Sequence, residues 1–259
     1  MRTIQLQGVD NVRDYGGWPT TDGLAIKEGL FFRGSALANA TAQDCKTLFD
    51  ELGIACVVDL RCGWELEAKP DIEHPGIEYY HIPFYDQEIV GIDYTARAEG
   101  TIAIGHDVAC NPEHFYRSLA NPLTVGQMRK GVDTVFSHVL QGLPVYVHCS
   151  GGKDRAGILT LLVLTILGAS REDILGDYLY TNVSRDKNYP KMFERFLKLA
   201  AGNVTLAHEL VESHRARAEN IDAFWDAIAD QYGSAESFVR EQLGFDDDRI
   251  ALVRNRCTA

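Results

Sequence analysis

Paired cysteine spacing is absent from this chain. Its six cysteines, at positions 45, 56, 62, 110, 149 and 257, fall into neither a disulfide framework nor a zinc pattern. They read as reduced thiols in a reducing compartment, and Cys56, inside an apolar run, reads as core. Positive charge is scarce as well: 25 lysines and arginines stand against 37 acidic residues, a formal net charge of −12. Such a surface repels nucleic acid along most of its extent and offers no strongly basic face to a membrane, although a local pocket field can still favour a small anion. No apolar core of signal-peptide length follows Met1, and the longest apolar stretch, 156–169, is short for a bilayer span. The expected location is therefore cytoplasmic, with signal-independent export left open and no stable membrane insertion. Internal repeats and low-complexity segments are also missing.

What is present is the composition of a globular protein, 46% apolar and 24% charged. The expected organisation is a single domain over 1–259, with a helical C-terminal cap from about 185. Ile54–Leu60 is a nearly continuous apolar run of strand length, suited to a parallel sheet buried on both faces. Leu30–Leu37 and Tyr79–Phe84 read as further strands, whereas Asn11–Gly17 reads as a turn-rich loop. Helical spacing covers 41–52 behind a Thr41 cap, two segments of 111–142 divided at Asn121-Pro122, and Arg171–Asn182 behind Ser170. Residues 191–215 continue as helix with a break at Gly202-Asn203, and two short helices follow from Ile221 around a turn at Tyr232-Gly233-Ser234. The order implies an α/β fold: a central, mostly parallel sheet flanked by helices, with extra helices at the C-terminal end.

The organising stretch is 144–157. Val145–His148 is a short β-prone run, and 156–167 is a helix apolar on nearly all sides. Between them lies Cys149-Ser150-Gly151-Gly152-Lys153-Asp154-Arg155. A strand, a glycine-containing turn and a buried helix build an anion cradle from loop amides and the helix's positive end. Thiols placed at helix N-termini beside cations ionise at roughly pH 3.5–7.5 rather than at about 8.5, so Cys149 is expected to be a thiolate. Arg155 offers a planar fork matched to two phosphate oxygens. A sulfur nucleophile on the floor of a phosphate-shaped bowl suits transfer of a phosphoryl group.

HCSGGKDRAG, residues 148–157, resembles the His-Cys-x5-Arg signature of cysteine-dependent protein tyrosine phosphatases. Its Gly-Lys-Asp-Arg variant is similar to the bacterial tyrosine/dual-specificity branch that includes mycobacterial protein tyrosine phosphatase B. Asn11–Gly17, the Asp59-Leu60-Arg61 element, the Asp177-Tyr178-Leu179 helix and the C-terminal tail resemble that branch too. The resemblance implies a phosphatase-type fold and a metal-independent, cofactor-free phosphomonoesterase working through a cysteinyl-phosphate. Its substrates would be phosphotyrosine proteins, with phosphoserine, phosphothreonine or phosphoinositides as further classes. Cys149, Arg155 and Asp154 would be catalytic, and Ser150, Gly151, Gly152, Lys153, Asp154 and Arg155 would bind phosphate. His148 would support the loop by hydrogen bonding, and Arg13, Asp59 and Arg61 would support the pocket.

Two aspartates compete for the proton the leaving group needs. Asp154 sits in the loop, where Lys153 and Arg155 should depress its pKa; Asp86 opens a long irregular stretch to about 110 with the length of a lid. Lys153 is a second cation that could meet a second phosphate. Ala156 stands where the family usually has Thr or Ser, a hydroxyl that eases sulfur's departure. A phosphate-binding module without turnover and a rhodanese-like sulfurtransferase are the competing readings; the Cys149–Arg155 pair speaks against the first, and Arg155-Ala156-Gly157 against the second. Oligomeric state is not legible.

Overall fold

The computed structural model describes residues 1–85 and 112–259. Six strands form one mixed sheet in the order β1-β2-β3-β6-β4-β5: Arg2–Thr3, Arg13–Asp14, Phe31–Gly34, Val145–His148, Cys56–Asp59 and Glu78–His81 respectively. The pairs β3–β6, β6–β4 and β4–β5 are parallel, and β1–β2–β3 is an antiparallel edge. The parallel strands expected from the apolar runs are all present. Val145 and Val147 pack with Phe31, Val58 and the long helices on one face, while Tyr146, Phe32 and Val57 meet Leu48, Phe49 and Val9 on the other. Burial on both faces is why these strands read as continuous rather than alternating apolar runs.

The surface-loop reading of segment 11–17 is corrected, whereas its packing beside the loop that follows β6, which the family resemblance implies, is present. Arg13–Asp14 forms β2, and Asn11 through Tyr15 are buried. A two-residue strand is too short to show a period of two, and its buried polar residues hid it.

Helices follow the expected order: α1 (Ala42–Cys45), running on as a π-helical turn Lys46–Glu51, then α2 (Gly63–Ala68), α3 (Pro112–Ser118) and α4 (Pro122–Val139). After β6 come α5 (Asp154–Leu167), α6 (Arg171–Ser184), α7 (Tyr189–Leu199) and α8 (Val204–Ser213). The chain closes with α9 (Ala218–Tyr232), α10 (Ala235–Ser237) with a π-helical extension Phe238–Gln242, and α11 (Asp247–Cys257). Thr41, Asn121, Ser170 and Asn203 accept hydrogen bonds from first-turn amides, as N-caps should. Helices α2 and α11 have no counterpart among the helices expected from sequence: α2 has six residues, none of them buried, and in α11 charged residues surround few apolar ones, with Val253 and Cys257 alone buried.

Register places the site. Gly34 and Asp59 both pair with His148, so the carboxyl ends of β3, β6 and β4 finish in one row. Open α/β sheets hold ligands beyond such an edge. Helix α5, apolar on all sides, is sunk into the core behind it and fixes where the loop must end. Among the described residues no helix is long and apolar enough to cross a membrane.

Candidate active site

The loop between β6 and α5 is held open from outside. Asn11 Nδ2 donates to the Gly151 carbonyl at 3.2 Å and to the Gly152 carbonyl at 3.0 Å. Arg33 Nη2 donates to the carbonyls of Gly152 (2.8 Å) and Lys153 (3.2 Å). With carbonyls drawn outward, the amides turn to the other side. Among the described residues, the N–H groups of Ser150 through Arg155 find no acceptor in the protein. Successive donors left this way form an anion nest. Gly152 makes the turn possible: its φ is +67°, and a Cβ there would come within 2.3 Å of the Gly34 carbonyl oxygen.

Arg33 and Arg13 are themselves buried and share one counter-ion, Asp177 on α6. Arg13 Nε lies 2.8 Å and Arg33 Nη1 2.6 Å from its carboxylate. Arg13 Nη1 also donates to Asn11 Oδ1 at 2.7 Å, which orients the amide that holds the loop. Arg13 thus reaches the loop through Asn11, within the 11–17 element that the family resemblance sets beside it; Arg33 and Asp177 contact the same network without having been assigned a role from sequence.

Cys149 is buried at the head of the loop, within electrostatic reach of Arg33 and Arg155. Arg155, also buried, is gripped by Glu65 on α2: Nη2 donates to Oε1 at 3.0 Å, and Nη1 donates to Oε2. Ser150 Oγ donates to the same carboxylate. Burial opposes the Glu65 charge, but the Arg155 ion pair and these hydrogen bonds prevail and hold its pKa at about 2. A guanidinium has five N–H donors, so Glu65 fixes Arg155 while leaving others for a ligand. Tyr85 stacks over Arg155 with 5.0 Å between guanidinium carbon and ring centroid.

Lys153 and Asp154 pair with each other at the start of α5. The Lys153 ammonium is turned inward, donating to the His214 carbonyl at 2.8 Å and standing 3.3 Å from Asp154 Oδ1. It is buried, so it is not a solvated lysine. Asp154 Oδ1 also accepts a 2.5 Å hydrogen bond from Tyr116, whose hydroxyl meets that of Tyr178 at 2.6 Å; Asn220 Nδ2 donates to Tyr178 at 3.1 Å. Partial burial raises the Asp154 pKa, yet Lys153, the Tyr116 hydrogen bond and Arg155 together bring it below the ordinary carboxylate value. Asp86 and the stretch to about 110 lie outside the described residues.

Behind the loop, His148 Nε2 lies 3.0 Å from Asp71, and its Nδ1 contacts the Cys149 carbonyl at 3.2 Å. Arg61 donates to both oxygens of Asp59 and sits 3.0 Å from Asp71. Asp59, Asp71 and His148 are close enough to share a metal, but the Arg61 guanidinium already supplies a cation to both carboxylates. Arg61 thus orients Asp59, and it also lines the adjoining cleft. Free thiols are found at Cys45, Cys56, Cys62, Cys149 and Cys257.

Residues 4–259 match the model of the tyrosine phosphatase family. The triple specificity protein phosphatase PtpB of Mycobacterium tuberculosis is 28% identical over 268 residues, covering 93% of this chain and 94% of that one. An inferred tyrosine-protein phosphatase of Cupriavidus necator is 25% identical over 256 residues, covering 99% and 88%. A solved structure, the core catalytic domain of the PP-IP phosphatase SIW14 from S. cerevisiae with citrate, aligns at TM-score 0.34 and 14% identity over 79% of this chain and 92% of that one. The chain belongs to the tyrosine phosphatase family.

Proposed function

We propose that this member of the tyrosine phosphatase family hydrolyses phosphotyrosine in proteins, with phosphoserine, phosphothreonine and phosphoinositides as further esters, through a cysteinyl-phosphate on Cys149. The observation that carries the reading is the ring of acceptor-less amides from Ser150 to Arg155 around a buried cysteine. In the first step Cys149 sulfur attacks phosphorus, the S–P bond forms and the P–O bond to the leaving group breaks. The amides and Arg155 hold the non-bridging oxygens, whose charge fixed donors stabilise best in a dry site. Asp154 gives its proton to the leaving oxygen. In the second step water attacks phosphorus, Asp154 takes back a proton, the S–P bond breaks and inorganic phosphate leaves.

A lowered pKa is unfavourable for an acid in the free protein. Bound phosphate dianion raises it, because the incoming negative charge opposes a second one beside it. No metal is needed in this scheme, the positive field coming from the loop. His148 positions the loop and moves no proton.

Asp154→Asn separates the acid role from a purely positioning one. Turnover of phenyl phosphate, a poor leaving group, should fall by about 10²–10⁴, and that of p-nitrophenyl phosphate much less. Equal losses on both would remove Asp154 from the acid role, and Asp86→Asn then takes the same test. Cys149→Ser should abolish turnover of every ester in the panel.

A further inference from the structure

Composition gives this chain no basic face to set against a membrane, but its charge is unevenly spread. Between 185 and 217 seven lysines and arginines stand against four acidic residues, the reverse of the balance in the whole chain. Helices α7 and α8 lie in this stretch and form a hairpin with a small core of its own, built on Tyr189, Phe196, Ala207 and Val211. The root of the hairpin is tied to the body. Asn182 Oδ1 accepts from the Ala216 amide at 2.8 Å and from the Tyr189 hydroxyl at 3.0 Å, and the His214 carbonyl accepts from Lys153. The tip stands roughly 15 Å away, the length of α8 at about 1.5 Å per residue. There the apolar side chains are outside: Leu199 is 50%, Val204 54% and Leu206 40% exposed. No acidic residue occurs from 195 to 208. Behind the tip Lys191, Arg195 and Lys198 recur at the spacing of one helix face, and among the described residues none of them is in an ion pair.

We infer that the tip of the α7–α8 hairpin docks the protein on an anionic lipid surface, with Leu199, Val204 and Leu206 entering the headgroup region and Lys191 and Lys198 meeting the lipid phosphates. A single exposed leucine needs no explanation. Three aliphatic side chains at one helix–helix turn, backed by unpaired cations and free of acids, have the make-up of an interfacial anchor. A protein partner is disfavoured by size, because three side chains fall far short of the roughly 1,200 Å² that a stable protein interface buries. A bilayer adds its surface potential, which acts on each cation separately. The acidic remainder of the chain does not cancel that attraction, since the hairpin is longer than the ~8 Å over which charges are felt at physiological salt. Docking of this kind needs no membrane-crossing helix, and it is independent of the ester that the β6–α5 loop takes.

The test is flotation of the full-length protein with vesicles of phosphatidylcholine alone or mixed with phosphatidylserine, a phosphodiester that offers no phosphomonoester to hydrolyse. Binding should be about tenfold or more tighter with phosphatidylserine present, and should weaken as salt is raised. Lys191→Gln/Lys198→Gln should weaken it by about fivefold for each cation removed. Leu199→Ser/Val204→Ser/Leu206→Ser should abolish it, while the melting temperature and the turnover of p-nitrophenyl phosphate stay those of the unsubstituted protein. Leu206→Trp reads the contact directly: the emission it adds to that of the three native tryptophans should shift to the blue on phosphatidylserine vesicles and be quenched by brominated lipid. No flotation with phosphatidylserine overturns the inference. So does flotation that the triple serine variant leaves intact, or a Leu206→Trp emission that lipid does not move. A dimer of the unsubstituted protein that the triple serine variant dissolves would assign the tip to a second copy of the chain, and overturns it as well.

Discussion

Tyr116 donates a hydrogen bond to Asp154 Oδ1, the same oxygen that faces Lys153, so in the proposed acid role Oδ2 is the atom that would carry the proton. The groups that set this carboxyl are Lys153 and Arg155 from the loop and helix α5, Tyr116 from α3 and, beyond it, Tyr178 from α6; the Lys153 ammonium is tied in turn to the His214 carbonyl. Tyr116→Phe deletes a contact that lowers the Asp154 pKa, so the carboxyl rises and stays protonated to higher pH. The basic limb of the kcat/KM profile should move upward, and Asp154→Asn should remove it. A limb that stays in place in Tyr116→Phe would show that the hydroxyl does not tune the acid. Stability should fall by about 1–2 kcal/mol in thermal melts, because Tyr178 loses a buried partner. At this scale Cys149, Arg155, Asp154 and Arg13 were legible, since motif spacing or family resemblance marks them. Glu65 and Tyr116 were not: each reaches the loop across a long sequence separation, and neither sits in a local pattern that announces the contact. The inward pairing of Lys153 was not legible either, because the His214 carbonyl that accepts from it lies 61 residues away.

At the scale of elements, three pieces of chain meet at one carboxylate. Strands β2 and β3 bring Arg13 and Arg33, and α6 brings Asp177, so that two buried guanidiniums clamp the loop without repelling each other apart. Burial pushes the Asp177 pKa up, but the two arginines dominate and hold it below the ordinary value. The sign follows: its contribution is full above the unfolded carboxylate value of about 3.9 and is lost as pH falls through the lower folded value. Asp177→Asn leaves two cations short of their counter-ion in the core. Chemical denaturation at neutral pH should show a loss of about 3–5 kcal/mol, the range for breaking a buried pair. A loss below about 1 kcal/mol would mean that the arginines find other partners. The strand–loop–helix was visible in sequence because Val145–His148 and the apolar α5 bracket the motif. The edge strand β2 and helix α11 were not, one being two residues long and the other lacking an apolar stripe.

At the scale of the molecule, an acidic chain concentrates its buried arginines around one edge of a sheet. Arg13, Arg33, Arg61 and Arg155 all lie within the carboxyl-end layer, each with a carboxylate of its own or shared. This arrangement gives local field without global positive charge, and composition alone could not locate that field. In the proposed reaction sulfur, rather than water or another side chain, takes the phosphoryl group. Rapid acid quench of the protein with p-nitrophenyl phosphate, followed by mass spectrometry of its peptides, reads that step directly. One phosphoryl group on the peptide containing Cys149, absent in Cys149→Ser, is the predicted result. Phosphate on a different residue, or steady turnover by Cys149→Ser, would contradict it.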